Sequence, residues 1–416
     1  MVRAVPSLDT SGPGTVQVMS TQARIVWDES FTGYNFGHEH PMNPVRLELT
    51  ARLCREFGLF DPPAAQVILP DVPADDVLLT VHTPEYLAAV KEASADPAAA
   101  KQAYGLGTDD DPAFVGIHEV SARIVAGTLD ISQAVWRGES EHGVNFCGGL
   151  HHAMPGYASG FCIYNDAAVA INWLLENGAS RVAYVDVDAH HGDGVERIFW
   201  NDPRVMTISL HETGTVLFPG TGFAADIGGP NAMGTAINLA LPPGVSDGPW
   251  LRGFHAVVPA LLRAFLPEVI VTQHGADSHF TDPLAHLGLS VDAQVAAMEA
   301  LHDLSHELCG GKWVALGGGG YEVIGVVPRT WTHLTALALH RPIDLTTPVP
   351  PRWLEEVKAR FGVDAPDKMG DGVAERGRIW FRSWESGFDP SNAVDRAVIA
   401  TREACFPHQG LDVFFD

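Results

Sequence analysis

The chain has 416 residues, of which 46% are hydrophobic and 19% are charged, and its formal net charge is −25. This composition can bury a large core and excludes wholesale disorder, while the negative charge argues against nucleic acid and anionic membranes as partners. Five scattered cysteines form no Cys-x-x-Cys pair. Their spacing argues against a zinc finger or a disulfide framework and predicts a cytoplasmic protein.

Residues 1–22 are rich in Ser, Thr, Gly and Pro, lack the pattern of a signal peptide and are predicted to form a loose tail. No apolar run approaches the roughly 20 residues of a membrane span. From residue 23 onward, strand-like apolar runs alternate with helical patterns. This alternation predicts an α/β fold with a mostly parallel central sheet and helices on both faces.

The predicted strands are Ala23–Trp27, Val144–Phe146, Val182–Val187, Val205–Leu210, Glu268–Thr272 and Trp313–Leu316. The predicted helices are Glu85–Ala95, Gly116–Trp136, Asp166–Asn177, Pro249–Phe265, Val291–Leu308 and Pro328–Leu339. Thr83 and Ser290 are predicted helix caps. A proline-rich break at residues 346–351 divides the chain, so we expect one catalytic domain over 23–345 and an extension over 346–416 that packs on it.

Polar or glycine-rich sequence follows five of these strands. Ligands of a parallel sheet bind outside the carboxyl ends of the strands, so one shared site is the simplest explanation. Asp186, Asp188 and His190 alternate along an extended chain and therefore point the same way. Carboxylates and imidazoles are metal ligands. The other segments at strand ends are His151-His152, His211, Gln273–Asp277 and Gly317–Gly320 with Tyr321.

Each of these signals also has a structural explanation. His151 and His152 could be a buried, hydrogen-bonded pair, Asp277 could cap a helix, and the four glycines could form a flexible turn. Their occurrence together at strand ends favours a metal site. Cys147 and Cys162 are interpreted as small buried side chains rather than nucleophiles.

Six segments in this order resemble the zinc-dependent histone deacetylase family, and among its members the bacterial acetoin-utilization deacetylases of the AcuC type. The resemblance spans roughly residues 24–342 and implies an arginase-like α/β architecture. The segments are Gly148–Ala153, Ala158–Asp166, Asp186–Asp193, Phe218–Gly222, Gly275–Asp277 and Gly317–Tyr321.

The resemblance implies zinc bound by Asp188, His190 and Asp277, with a fourth position open for water and substrate. The same ligand types also accept Fe²⁺ or Co²⁺. It further implies a general base and acid, His152, with His151 beside it, carboxylate partners for the two histidines, and a tyrosine that donates to the oxygen of the reacting carbonyl. The partners are Asp186 and Asp193, and the tyrosine is Tyr321.

Substrate and potassium contacts are also implied. Gly160, Phe161 and Phe218 would wall a narrow apolar tunnel, and of three consecutive rim aspartates we assign Asp110 to the substrate backbone. Leu284 stands where polyamine-selective relatives have an acid. Potassium would be held by backbone carbonyls and one hydroxyl, at Asp186, Asp188, His190, Leu210 and Ser209.

Two positions depart from the family pattern: Leu150 replaces an aromatic residue, and His274 replaces an apolar one and could alter the shape or charge of the site. The implied activity is hydrolysis of the acetyl amide of acetyl-lysine on proteins, with an acetylated protein as partner. Two alternatives stay open. One is a small-molecule amide hydrolase, either an acetylpolyamine deacetylase or a ureohydrolase-like enzyme, and the other is an inactive acetyl-lysine binder.

Overall fold

A computed structural model describes residues 21–374 and 378–416. Most of the predicted N-terminal tail lies outside these residues, and its last two residues belong to the first strand. The strands are β1 (Thr21–Val26), β2 (Ala65–Ile68), β3 (Ser140–Asn145), β4 (Val182–Asp186), β5 (Val205–Glu212), β6 (Ala236–Leu241), β7 (Val269–Gln273) and β8 (Trp313–Leu316).

In the described residues these strands form one sheet of eight in the order β2-β1-β3-β8-β7-β4-β5-β6. Every neighbouring pair is parallel, which confirms the predicted parallel α/β sheet. Strands β4, β5 and β7 are buried along their whole length. Sheets covered on both faces are built from such continuous apolar strands, which explains why these runs were visible in the sequence.

All six predicted strands are present, with bounds shifted by a few residues. The prediction missed β2 and β6, which are the two edges of the sheet. Strand β2 has four residues, and β6 contains two alanines and an asparagine between glycine-rich and proline-rich segments. Alanine and asparagine have low strand propensity, so neither segment carries the signal of the central strands.

The helices of the described residues are α1 (Val45–Glu56), α2 (Asp75–Leu78), α3 (Pro84–Ala95), α4 (Ile117–Arg137), α5 (Asp166–Glu176), α6 (Asp193–Phe199), α7 (Asp247–Phe265), α8 (Val291–Cys309), α9 (Val327–Ala338), α10 (Pro351–Phe361) and α11 (Ala393–Cys405). Both predicted caps are formed. The Thr83 hydroxyl accepts from Tyr86 N over 3.3 Å, and the Ser290 hydroxyl accepts from Ala293 N over 3.2 Å. None of the described helices has the length and apolar character needed to cross a bilayer.

The C-terminal helices contact two parts of the sheet domain. Trp353 of α10 donates its indole N–H to Leu49 O of α1 over 3.1 Å. On α11, the Thr401 hydroxyl donates to Asn238 O of the edge strand β6 over 2.7 Å. Asp395 forms a buried ion pair with Arg252 of α7 at 2.6 Å. These contacts agree with an extension that packs on the main domain, although the domain boundaries themselves stay a prediction.

The parallel sheet brings one set of strand ends together. The segments that follow β3, β4, β5, β7 and β8 all leave the sheet at its carboxyl edge. Neighbouring strands there include β7 and β4, in which Asp186 is in register with Gln273. The predicted metal ligands and catalytic residues therefore follow adjacent strands, although their sequence positions range from 151 to 321.

Candidate metal centre

The three predicted metal ligands converge at the carboxyl ends of β4 and β7. The Nδ1 atom of His190 lies 3.1 Å from Asp188 Oδ1 and 2.9 Å from Asp277 Oδ2. One ligand atom from each of these residues lies within 4.8 Å of the other two. All three side chains are buried. Two carboxylates and one imidazole make a donor set that suits zinc, iron or cobalt.

The outer oxygens of the two carboxylates are fixed by neighbouring groups. Asp188 Oδ2 accepts from the Gln273 side-chain amide at 2.7 Å and from Gly319 N at 2.8 Å. Asp277 Oδ1 accepts from Ala189 N at 2.8 Å. Each carboxylate thus keeps its other oxygen toward His190, as oriented metal ligands do. The contact of Gln273 with Asp188 was not predicted, because it depends on the pairing of β4 with β7.

Three ionisable side chains lie close together at this site, and each affects the pKa of the others. Burial and the neighbouring Asp188 carboxylate raise the pKa of Asp277 to about 7. Burial opposes protonation of His190, but the Asp188 and Asp277 carboxylates outweigh it and hold the pKa of this imidazole well above its usual value. A positive charge is therefore favoured between the two carboxylates. A divalent cation would supply that charge, so the donor set fits a metal ion.

The histidine pair lies beside these ligands, and each ring is bound to a carboxylate. His151 Nδ1 lies 2.8 Å from Asp186 Oδ2, and His152 Nδ1 lies 2.7 Å from Asp193 Oδ1. The two Nε2 atoms are 3.1 Å apart. Asp186 is also the acceptor of the Tyr184 hydroxyl at 2.7 Å, a contact that the sequence did not predict.

The two imidazoles differ in proton affinity. Burial opposes protonation of His151, but the Asp186 and Asp188 carboxylates raise its pKa to about 9. Burial and the adjacent His151 lower the pKa of His152 to about 4. The pair therefore holds its proton on His151 and leaves His152 neutral at pH 7. A neutral imidazole with Nδ1–H bound to a carboxylate has its lone pair on Nε2.

A buried aspartate at the start of α5 fixes the loop that carries the histidines. Asp166 accepts from Gly149 N and Leu150 N through Oδ1, the latter at 2.8 Å, and from the Thr128 hydroxyl through Oδ2 at 2.6 Å. Gly149 has a φ of 85° and lies against Gly317 O, so a side chain would clash there. Asp166 is the last residue of the family-like segment Ala158–Asp166, but no role was predicted for its side chain.

Tyr321 follows the glycine loop after β8 and faces the ligands. Its ring centroid lies 6.5 Å from that of His190. Burial and the Asp277 and Asp188 carboxylates hold the pKa of its hydroxyl well above the usual value, so it remains a hydrogen-bond donor. The backbone N–H of Tyr321 donates to Asp282 Oδ2 at 2.8 Å.

Arg46 of α1 holds the same loop from the opposite side. Its guanidinium donates to Gly318 O at 2.8 Å and to Gly320 O at 3.1 Å, and it stacks over Trp331. Arg46 was not predicted as a site residue, because α1 was not predicted and the contact joins residues more than 270 positions apart.

Comparison with known proteins agrees with this geometry. Residues 40–338, well over half of the chain, match the family model described as "Histone deacetylase domain". The chain belongs to the histone deacetylase family. It is 40% identical over 348 residues to the acetoin utilization protein AcuC of Bacillus subtilis (strain 168), covering 83% of this chain and 89% of the relative. It is 36% identical to AcuC of Staphylococcus xylosus, covering 83% and 90% of the two chains.

Solved structures of deacetylase homologues share the fold. The crystal structure of an HDAC homologue from Aquifex aeolicus superposes with a TM-score of 0.78 at 26% identity, covering 91% of this chain and 99% of that one. An HDAC homologue complexed with SAHA has a TM-score of 0.78 at 26% identity and covers 92% and 100% of the two chains. The predicted family and arginase/deacetylase-like fold are confirmed.

In this deacetylase, two aromatic rings flank the site. Phe161 has a φ of 65° and lies edge-on to Tyr321, with centroids 5.7 Å apart. Phe218 is 45% exposed and lies edge-on to His152 at 5.0 Å. Gly160 lies so close to the His152 ring that an added Cβ would be 2.3 Å from Cδ2. Asp110 Oδ2 accepts from Gly160 N at 2.8 Å, so the predicted rim acid contacts the loop that carries Phe161.

The remaining predicted residues lie around the same edge of the sheet. Asp186 of β4 and Ser209 of β5 are in register, and Leu210 follows on β5. Ser209 Oγ lies 2.8 Å from His211 Nδ1. Leu284 N donates to Asp282, the acceptor of Tyr321 N, and Leu284 is partly exposed.

The two departures from the family pattern are both buried. Leu150 lies in the core beside the histidine pair. Burial lowers the pKa of His274 to about 3, so this ring is neutral. Its Nε2 lies 2.7 Å from Thr272 Oγ1, and within the described residues it makes no hydrogen bond to the metal ligands.

Proposed function

We propose that this chain is a metal-dependent deacetylase that hydrolyses the acetyl amide of acetyl-lysine on proteins. One observation carries the proposal: three ligand side chains, a neutral histidine bound to an aspartate, and a protonated tyrosine surround one point between two aromatic rings. A hydrolase of an unactivated amide needs an electrophile, a base and a donor to the developing oxyanion. The family relationship supports the same reaction class.

Asp188, His190 and Asp277 would hold the metal, with zinc as the proposed ion and Fe²⁺ or Co²⁺ as alternatives that the donors also accept. When bound, the ion would polarise the acetyl carbonyl and lower the pKa of the attacking water. In the described residues the only potential metal cluster at this edge consists of these three side chains. Three ligand side chains are enough for one ion, which favours a single-metal site over the two-metal arrangement of a ureohydrolase.

His152 acts as general base and then as general acid. Its Nε2 lone pair takes the proton of the attacking water, and the resulting N–H protonates the leaving lysine amine. Asp193 keeps Nδ1 protonated and thereby holds the required tautomer. His151 carries the positive charge of the resting pair, stabilised by Asp186. Tyr321 donates its hydroxyl proton in a hydrogen bond to the carbonyl oxygen as negative charge develops there.

The aromatic rings suit an aliphatic stem. Phe161 and Phe218 would pack against the methylene groups of acetyl-lysine, with Gly160 leaving room above His152. Asp110 would accept hydrogen bonds from the substrate backbone at the rim. Leu284 provides no carboxylate for a second amine, which favours a lysine side chain over an acetylpolyamine. A potassium ion would sit between β4 and β5, held by carbonyl groups of Asp186, Asp188, His190 and Leu210 and by the Ser209 hydroxyl.

The test is turnover of acetyl-lysine peptides, acetylspermidine and acetylputrescine, with metal analysis on the same preparation. We expect acetate release from the peptides with kcat/KM at least tenfold higher than from the polyamines. An ion pair at a desolvated site contributes roughly 2–5 kcal/mol. The absence of a carboxylate for the second amine of a polyamine is therefore enough to produce this preference. Higher kcat/KM on the polyamines would replace the protein substrate by a small molecule. Peptide binding without acetate release would indicate an inactive binder.

A further inference from the structure

Four imidazoles meet at the opposite edge of the sheet from the catalytic residues. His142 lies near the start of β3, in register with Trp313, the first residue of β8. His302 and His306 lie one turn apart on α8, and His340 follows α9. The six distances between their ring centroids run from 4.6 to 5.4 Å. One nitrogen from each ring lies within 4.8 Å of the others.

Each ring has one nitrogen beside an oxygen acceptor. His142 Nδ1 lies 2.8 Å from Gly311 O, and His340 Nε2 lies 3.1 Å from Glu141 Oε2. The other oxygen of Glu141 lies 3.8 Å from His306 Nδ1, and Asp303 Oδ1 lies 3.7 Å from His302 Nδ1. His142 and His340 thus make the hydrogen bonds to a carbonyl or carboxylate that metal-bound histidines make with their second nitrogen, whereas the distances of 3.7 and 3.8 Å at His302 and His306 are too long for hydrogen bonds.

One pair of inner nitrogens has the spacing of a tetrahedral coordination shell, and all four lie within 4.8 Å of one another. His302 Nε2 and His306 Nε2 are 3.2 Å apart. Zinc–nitrogen bonds of about 2.0–2.1 Å in a tetrahedron give an edge of about 3.3 Å. His142 is fully buried, and its Nε2 has no hydrogen-bond partner in the described part of the chain. An unpaired buried polar atom destabilises the folded state, so a ligand at this position would remove a penalty.

We propose that His142, His302, His306 and His340 form a second metal site, which binds a divalent first-row transition metal in an all-imidazole tetrahedral shell. Imidazole suits Zn²⁺, Ni²⁺ and Cu²⁺, whereas Mg²⁺ and Ca²⁺ require oxygen ligands. Four protein ligands leave no open position, so the site is structural rather than catalytic. It would join β3, α8 and the end of α9.

Packing alone is the competing explanation, since His142 and His302 both contact the Trp313 ring, with centroids 5.6 and 5.5 Å apart. Packing accounts for these two rings but provides no partner for His142 Nε2. The φ of 52° at His340 needs no metal, since it belongs to the C-terminal cap of α9, in which His340 N donates to Leu337 O and Arg341 N donates to Ala336 O. The His306 and His340 side chains are 35% and 32% exposed, so an ion can enter from solvent.

The test measures metal content and ligand type in the full-length, untagged protein. Stripped protein is dialysed against Zn²⁺ and analysed for bound metal. We expect two equivalents in the unmodified chain, one in His306→Gln/His340→Gln, and one in Asp188→Ala/His190→Ala. X-ray absorption of the last variant should show four imidazole nitrogens. The exposed His408→Gln is the matched control and should keep two equivalents.

The outcomes separate this proposal from the proposed function. The His306→Gln/His340→Gln variant substitutes partly exposed side chains and should fold and deacetylate normally. If it binds as many equivalents as the unmodified chain, the second site does not exist, whatever the occupancy of the carboxyl edge. If Asp188→Ala/His190→Ala loses both ions together, the two ions belong to one binuclear centre at the carboxyl edge. That result would overturn the second site and support the ureohydrolase-like alternative.

Discussion

The two edges of the sheet carry clusters of opposite construction. At the carboxyl edge, Asp188, His190 and Asp277 are buried, and backbone N–H groups and a side-chain amide donate hydrogen bonds to the carboxylates. At the amino edge, four imidazoles form the cluster, and two of them are partly exposed. The first cluster contains two carboxylates and lies beside His151, His152 and Tyr321, for which we propose the catalytic roles, whereas the second consists of imidazoles alone. The difference indicates chemistry at one edge and a structural link at the other.

Removal of a carboxyl-edge ligand should have the largest effect. Asp188→Ala or Asp277→Ala should abolish binding of the catalytic ion and lower kcat/KM by more than about 10⁴-fold, because several kcal/mol of charge stabilisation and the activated water are lost together. Metal analysis and peptide turnover measure both effects. The exposed Asp76→Ala is the control. A ligand variant with normal turnover would remove that residue from the set.

The histidine pair tests whether the carboxyl edge carries the acid–base chemistry. His152→Ala should lower kcat by about 10²–10⁴-fold without release of metal, since the group that takes the proton of the attacking water is lost. Turnover and metal content are measured together, with the exposed His255→Ala as control. A larger loss in His151→Ala than in His152→Ala would exchange the two roles.

Tyr321→Phe removes a single hydroxyl from the same edge. We expect kcat to fall by roughly 10²–10³-fold, with metal content and thermal stability unchanged, because one donor to the oxyanion is lost. The half-exposed Tyr157→Phe should have normal kinetics. If kcat of Tyr321→Phe is unchanged, the hydroxyl faces away from the reacting carbonyl.

Variants at the amino edge should have the smallest effect on rate. His306→Gln/His340→Gln should change kcat/KM by less than about twofold, since surface substitutions rarely disturb a distant site. In the Asp188→Ala/His190→Ala background, free Zn²⁺ at 100 times Kd should stabilise the protein by about 2.7 kcal/mol. Adding the two Gln substitutions should remove this stabilisation in denaturant melts. A large kinetic defect with normal folding would contradict the structural role.

The convergence of these segments at the carboxyl edge could be predicted from the sequence for a physical reason. Each segment that carries a proposed ligand or catalytic residue follows a buried strand, and parallel strands bring those ends together, so local patterns were sufficient. Arg46, Gln273 and Asp282 were missed, because each acts through a contact between elements that no local pattern describes. The edge strands β2 and β6 were missed because they are short or weakly apolar.

The cluster of four histidines at the amino edge could not be predicted from the sequence for the same reason. Only His302 and His306 have helical spacing, and the other two contribute from 142 and 340. No stretch of sequence places them together, since the cluster depends on β3, α8 and α9 packing side by side. Such a site is recognised only from the folded chain.

Helix α11 covers the edge strand β6. An edge strand exposes unpaired backbone groups that can pair with another chain. Here Thr401 and Cys405 direct their side chains to the β6 carbonyls of Asn238 and Ala236, and the helix shields that strand. A chain cut before residue 393 would therefore keep its catalytic residues but present a free β6 edge, and it should self-associate by adding strands there.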